Sequence, residues 1–244
     1  MTVTITANHE KLSRQAADIF VQQAQLAVRE KGRFCVALSG GDTPIRTYEL
    51  LCQEPWVRSV PWNETHIFWG DERCVPFNDP RHNAFIAKNV LLSHVPVPEV
   101  QIHPVICVEN PTETALKYEN LLKSFFPAHD TLFDLMFLGI GKDGHIASLF
   151  PGTPVLEERE RWVTEVAVPG QAFNRITVTY PVIEKSTMVL FLVSGYDKAN
   201  VIGSVLGKDK KKGELPASRI RLDHGECIWL LDKTAGSKLL NSEK

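Results

Sequence analysis

The chain lacks several features that would assign it elsewhere. Its first ten residues, MTVTITANHE, hold no basic segment leading into an apolar stretch. No apolar run approaches the roughly 18 residues that a bilayer span needs. There is no charge excess: 27 basic residues stand against 29 acidic ones, for a formal net charge of -2. Such a balance offers no attractive field to nucleic acid or to an anionic membrane. The five cysteines, Cys35, Cys52, Cys74, Cys107 and Cys227, form no C-x-x-C pair and are odd in number. Cys35 and Cys227 sit in apolar runs, where cysteine behaves as a small core residue. These absences lead us to expect a reduced, disulfide-free, cytoplasmic protein. No repeat, low-complexity linker or shift in composition divides the chain. A single domain spanning 1–244 is expected, and 43% hydrophobic content suffices for a well-covered core. The run Lys208–Lys212 is flanked by glycines and reads as a solvated loop rather than a binding element.

What is present is an alternation of two periodicities. Short apolar runs of strand length occur at Arg33–Leu38, His66–Trp69, Leu135–Leu138, Met188–Val193 and Cys227–Leu230. Between them lie helical patterns at Lys11–Glu30, Ile45–Leu51, Arg81–Leu92, Thr112–Phe126 and Asp197–Leu206. Strands that are apolar throughout are covered on both faces. The alternation predicts an α/β fold, a doubly wound, mostly parallel, Rossmann-like sheet with helices on both faces.

In such sheets ligands sit at the carboxyl ends of the strands, so the residues after each strand matter most. After Leu38 comes Ser39-Gly40-Gly41-Asp42-Thr43-Pro44, with Thr43 expected to cap the following helix and Pro44 to open it. Free amides there would cradle a phosphate. No Lys-Ser/Thr follows the glycines, so this is not a Walker A loop. After Trp69 come Asp71, Glu72 and Arg73, able to hold hydroxyls and a phosphate. After Leu138 comes a glycine loop in which Gly141, Lys142, Asp143 and His145 follow one another closely. An acid and a histidine in a glycine loop at a strand end suit chemistry better than packing. After Val193 comes SGYDKA, which puts Lys198 in the first turn of a helix, where the dipole disfavours a cation unless an anion is bound. Arg175, in the alternating segment RITVTYP, can supply a bidentate phosphate contact from a strand, or else serve as an edge-strand charge.

One motif misleads. Gly139, Gly141 and Gly144 match G-x-G-x-x-G, and Glu165 lies about 20 residues on, as in a dinucleotide site. Pro151, Gly152 and Pro154 leave no room for the long helix that such a site requires.

The stretches VALSGGDTP, FWGDERCVP, LGIGKDGHIASLFPGT, RITVTYP and SGYDKA together resemble the 6-phosphogluconolactonase family, in order and over most of the chain. The resemblance implies hydrolysis of 6-phosphoglucono-δ-lactone to 6-phosphogluconate, the second step of the oxidative pentose phosphate pathway, without metal or cofactor. It implies catalysis by His145 and Asp143, and substrate binding by Ser39, Gly40, Gly41, Asp42, Thr43, Asp71, Arg73, Gly141, Lys142, Arg175 and Lys198. The expected partner is a small sugar-phosphate lactone bound by a monomer or small homo-oligomer, with no nucleic acid and no membrane. Two residues depart from the family's pattern: Asp42, where a small polar residue is usual, and His82, where a serine is. The related glucosamine-6-phosphate deaminases share the glycine loop, but their catalytic glutamate corresponds to Phe150 here and their D-E-Y tyrosine to Arg73. A sugar-phosphate sensor on the same fold would carry a helix-turn-helix segment, which this chain has no spare residues to form.

Overall fold

The computed structural model describes residues 1–107, 110–126, 131–207 and 215–240. Six strands build a parallel sheet: β1 (Thr2–Thr6), β2 (Phe34–Leu38), β3 (Thr65–Trp69), β5 (Leu135–Leu138), β8 (Met188–Val193) and β9 (Glu226–Asp232). Their order is β1-β9-β8-β5-β2-β3, every neighbouring pair being parallel. The chain runs outward from β2 to β3, then crosses back to β5 and continues to β8 and β9. The reversal falls between β2 and β5, the crevice where open α/β sheets bind ligands. Strand periodicity explains the two cores. Phe34, Val36 and Leu38 of β2 face the layer holding helix His9–Lys31, while Cys35 and Ala37 face the layer with helix Pro111–Phe125.

Local signals set the helix ends. Asn8 caps His9–Lys31 by accepting from the Lys11 amide, and Gly32, at φ 71, closes it with a hydrogen bond to the Val28 carbonyl. Asn110 and Pro111 open the helix Pro111–Phe125 in the same way. The helix Ile45–Leu51 departs from expectation: Pro44 is its capping residue, with no side-chain cap, and Thr43 stays in the preceding turn. The expected helix Arg81–Leu92 begins at Asn83 and ends in a wider π turn, Lys88–Leu92. After Gly144 the chain makes turns and an isolated bridge, Ile146–Leu149, not a dinucleotide helix.

A second, antiparallel sheet has the order β4-β7-β6, from β4 (Asp71–Arg73), β6 (Val163–Val166) and β7 (Arg175–Val178). Polar sequence hid β4 and β6. This small sheet brings Asp71 opposite Thr177 and Arg73 opposite Arg175.

The expectation of a disulfide-free chain is overturned. Cys74 and Cys107 form a disulfide, with Cα atoms 5.3 Å apart. The pairing has no sequence signature because it joins two loops, 33 residues apart, that meet only in the fold. Cys35, Cys52 and Cys227 are free, and the cysteines give no argument for a reducing compartment. The lysine-rich segment Lys208–Lys212 lies outside the described residues. Among those residues, no helix is long and apolar enough to cross a membrane.

The outer edge at β3 carries a stacked histidine pair. His66 Nδ1 lies 3.2 Å from His103 Nε2, and the His103 ring stacks on Phe68 with centroids 4.5 Å apart. Burial, with His66 alongside, pushes His103 down to about 4; burial and the nearby Arg33 also lower His66. Both rings are therefore favoured neutral in the fold, whereas unfolded histidine takes its proton near about 6.5. This contribution to stability is complete above that value and is lost as the pH falls toward 4, because the unfolded chain then binds protons that the folded one refuses. His103→Phe keeps the stack and removes the titration. Its melting temperature should fall less than that of the wild type between about pH 7 and pH 4.5, by about 2–4 °C for each kcal/mol of linkage removed. Parallel curves for the two proteins would show that the pair plays no part in acid sensitivity.

Candidate active site

A cleft of about 550 Å³ opens where β2, β5 and β8 end. Of the residues singled out in the sequence, Ser39, Gly40, Gly41, Asp42, Thr43, Asp71, Arg73, Gly141, His145, Arg175 and Lys198 line it. Lys142 and Asp143 do not.

The glycine loop is folded around His145. The Gly141 amide donates to the His145 carbonyl at 2.8 Å, and the Gly144 amide to the Gly141 carbonyl at 3.0 Å. Asp143 stands behind the histidine. Its Oδ1 accepts from the His145 backbone amide at 3.2 Å and lies 2.6 Å from His145 Nδ1. An ionised carboxylate can only accept, so the ring proton belongs on Nδ1 and the lone pair stays on Nε2. The Phe150 ring lies over the imidazole with centroids 4.1 Å apart. Gly141 is required here by space: a Cβ would run into Nδ1 and Cε1 of His145. Just beyond, Ala147 adopts φ 46, the one non-glycine residue at positive φ among those described. Such a conformation costs roughly 1–3 kcal/mol, and it turns the next residue inward. Ser148 Oγ donates to Asp71 Oδ2 at 2.6 Å, and the Ser148 amide donates to Thr177 Oγ1.

The positive wall is built on β4 and β7. Arg73 and Arg175 are direct cross-strand partners, a juxtaposition that is unfavourable unless an anion lies between them. Arg175 is largely buried, its Nε bonded to Gln171 Oε1 at 3.0 Å and its Nη1 3.7 Å from Asp71 Oδ2. Burial pushes its guanidinium below the ordinary range, the Asp71 carboxylate opposing that shift and Arg73 adding to it. Arg73 donates from Nη1 to the Arg81 carbonyl at 2.6 Å, while its buried Nε has no partner. Lys198 reaches in from the opposite side. It closes the 3-10 turn Tyr196–Lys198 ahead of helix Ala199–Leu206, and its Nζ donates to the Ile140 carbonyl at 2.9 Å. The turn is anchored by the buried Asp232, which accepts from Ser194 Oγ and the Gly195 amide. Lys142 points to the rim, paired with Asp197 at 3.3 Å.

The Ser39–Thr43 loop forms the remaining wall. Tyr48 Oη holds both the amide and the carbonyl of Ser39, and Gly41 takes φ 85, which a side chain disfavours. Four polar lining residues were not singled out in the sequence: His9, Asn83, Ser194 and Asp197. His9 Nε2 lies 2.9 Å from the Thr43 carbonyl. His9 and Asn83 start helices with no local motif, whereas Ser194 and Asp197 lie within the SGYDKA stretch.

A family model described as glucosamine-6-phosphate isomerases/6-phosphogluconolactonase matches residues 7–229. The chain is 38% identical over 241 residues to a 6-phosphogluconolactonase of Synechocystis sp., across 97% of this chain and 98% of that one. It is 36% identical over 242 residues to another from Nostoc sp., across 98% of each. The crystal structure of a 6-phosphogluconolactonase from Thermotoga maritima is similar at a TM-score of 0.79 and 30% identity, over 95% of this chain and 99% of that one. The sheet order, the glycine loop and these matches agree: the chain belongs to the glucosamine-6-phosphate isomerase/6-phosphogluconolactonase family.

Proposed function

We propose that the protein hydrolyses 6-phosphoglucono-δ-lactone to 6-phosphogluconate. The observation that carries this reading is His145, held through Nδ1 by Asp143 and lining one cleft with Arg73, Arg175 and Lys198. The phosphate is bound by a subset of these cations together with the Ser39–Thr43 loop, and the lactone carbonyl is brought beside His145. The imidazole takes a proton from water as the hydroxide oxygen bonds to the carbonyl carbon. The negative charge that develops on the carbonyl oxygen is met by the cations left over. As the tetrahedral intermediate collapses, the bond from carbon to the ring oxygen breaks, and imidazolium returns its proton to that oxygen. Asp143 stabilises the imidazolium between the two steps. Ser148, whose hydroxyl is committed to Asp71, takes no part as a nucleophile.

Phe150 favours this chemistry over amino-sugar isomerisation. An aromatic ring, not a carboxylate, covers the face of His145. Opening a lactone needs one activated water, whereas isomerisation needs a further proton relay. The direct test is acid release from freshly prepared lactone, measured against the spontaneous rate.

His145→Ala should lower kcat by about 10²–10⁴-fold. Asp143→Asn should lower kcat too, by removing the acceptor that fixes the tautomer. Retention of more than about half the wild-type kcat in His145→Ala would put the base elsewhere. Neutralising Lys198, Arg73 or Arg175 should raise KM for the phosphorylated lactone much more than for gluconolactone in at least one case. Equal effects on both substrates in all three variants would remove phosphate binding from this wall. Glucosamine 6-phosphate should release no ammonia and should compete only as a weak inhibitor. Ammonia production at a rate near that of lactone hydrolysis would overturn the assignment.

A further inference from the structure

Asn83 is almost completely buried, yet it lies against the cleft between two walls that come from distant parts of the chain. Its Nδ2 donates to the Asp71 carbonyl at 2.9 Å, on the strand that carries Arg73. Its other face fills the space beside Gly40. A Cβ on Gly40 would fall inside the Asn83 amide, with even the farthest of its three terminal atoms, Nδ2, at 2.8 Å. Nothing crowds the neighbouring Gly41, whose need for glycine is conformational. Gly40 is thus a glycine because of Asn83.

Asn83 is itself held by a wholly buried carboxylate. Glu72 Oε1 accepts from the Asn83 amide at 2.7 Å and from the Arg73 amide at 2.8 Å, while Oε2 accepts from the Ala84 amide at 2.9 Å. His82 Nδ1 lies 3.0 Å from Oε2 but too obliquely for a hydrogen bond. One carboxylate thereby fixes the backbone of the cleft arginine and the start of the Asn83 helix together.

We propose that Asn83 is a positioning residue: wedged between Gly40 and the Asp71 carbonyl, it sets the distance from the Ser39–Thr43 loop to the Arg73 strand, so that both grip one phosphate. The kinetic part of this inference rests on the proposed lactonase activity; the wedge itself does not.

The test is a double-mutant cycle of Gly40→Ala and Asn83→Ala, read by thermal unfolding and by kinetics. Asn83→Ala should raise KM for the phosphorylated lactone by about tenfold with kcat changed less than about threefold, since the loss is one of binding geometry. Gly40→Ala should depress the melting temperature in the wild-type background and much less in the Asn83→Ala background, because residues in contact do not add. Equal depression in both backgrounds would show that Gly40 does not accommodate Asn83 and would overturn the proposal. So would an Asn83→Ala variant that melts lower while keeping the wild-type KM, the mark of a merely structural residue. Asn83→Ser, which shortens the side chain and keeps a hydroxyl, provides the same comparisons if Asn83→Ala does not fold. A wild type without lactonase activity would refute the functional reading alone, for the unfolding cycle would still report on the wedge.

Discussion

Two guanidinium groups facing each other across a pair of strands are the constraint around which this molecule is organised. Arg73 and Arg175 occupy one cross-strand position, and the second is largely withdrawn from water. Desolvation and mutual repulsion both disfavour that arrangement. Asp71 offsets part of it and is in turn oriented by Ser148, which depends on the left-handed turn at Ala147. The Ala147 strain, the buried Glu72 beneath Arg73 and the small antiparallel sheet all serve to keep two positive charges where solvent would not place them. Under the proposed function, the phosphate of the substrate would offset the remaining repulsion.

The proposed catalytic side is built differently. As a base, His145 would need no charged wall, only one defined tautomer and one orientation. Asp143 supplies the first through its 2.6 Å contact with Nδ1, and the tilted Phe150 ring, 4.1 Å away between centroids, supplies the second by packing on it. Gly141 gives the ring room. The imidazole and the cations meet because β4, β5 and β8 end, and β7 begins, around one cleft.

Much of this was legible in the sequence because it is local. Five apolar runs predict five of the six parallel strands, since a strand buried on both faces has no polar position to disguise it. The acid and histidine two residues apart mark the loop, while their contact appears only in the fold. What stayed hidden is what depends on chain segments meeting. The strands at Asp71–Arg73 and Val163–Val166 are polar and are made by their pairing, not by their propensity. The Cys74–Cys107 bond has no spacing rule, and the roles of His9 and Asn83 exist only once distant loops converge. The Ser39-Gly40-Gly41 turn is visible in the sequence, but its two glycines serve different needs: one is spatial and imposed by a neighbour, the other conformational.

In the proposed function, the loop from Gly139 to Phe150 holds the groups that act on the proton, and the arginines and lysine of the cleft come from other segments. Recognition and reactivity are then written on separate segments of chain. A short replacement within that one loop would exchange the chemistry and leave the cationic walls in place, which would make the scaffold a socket for different reactions.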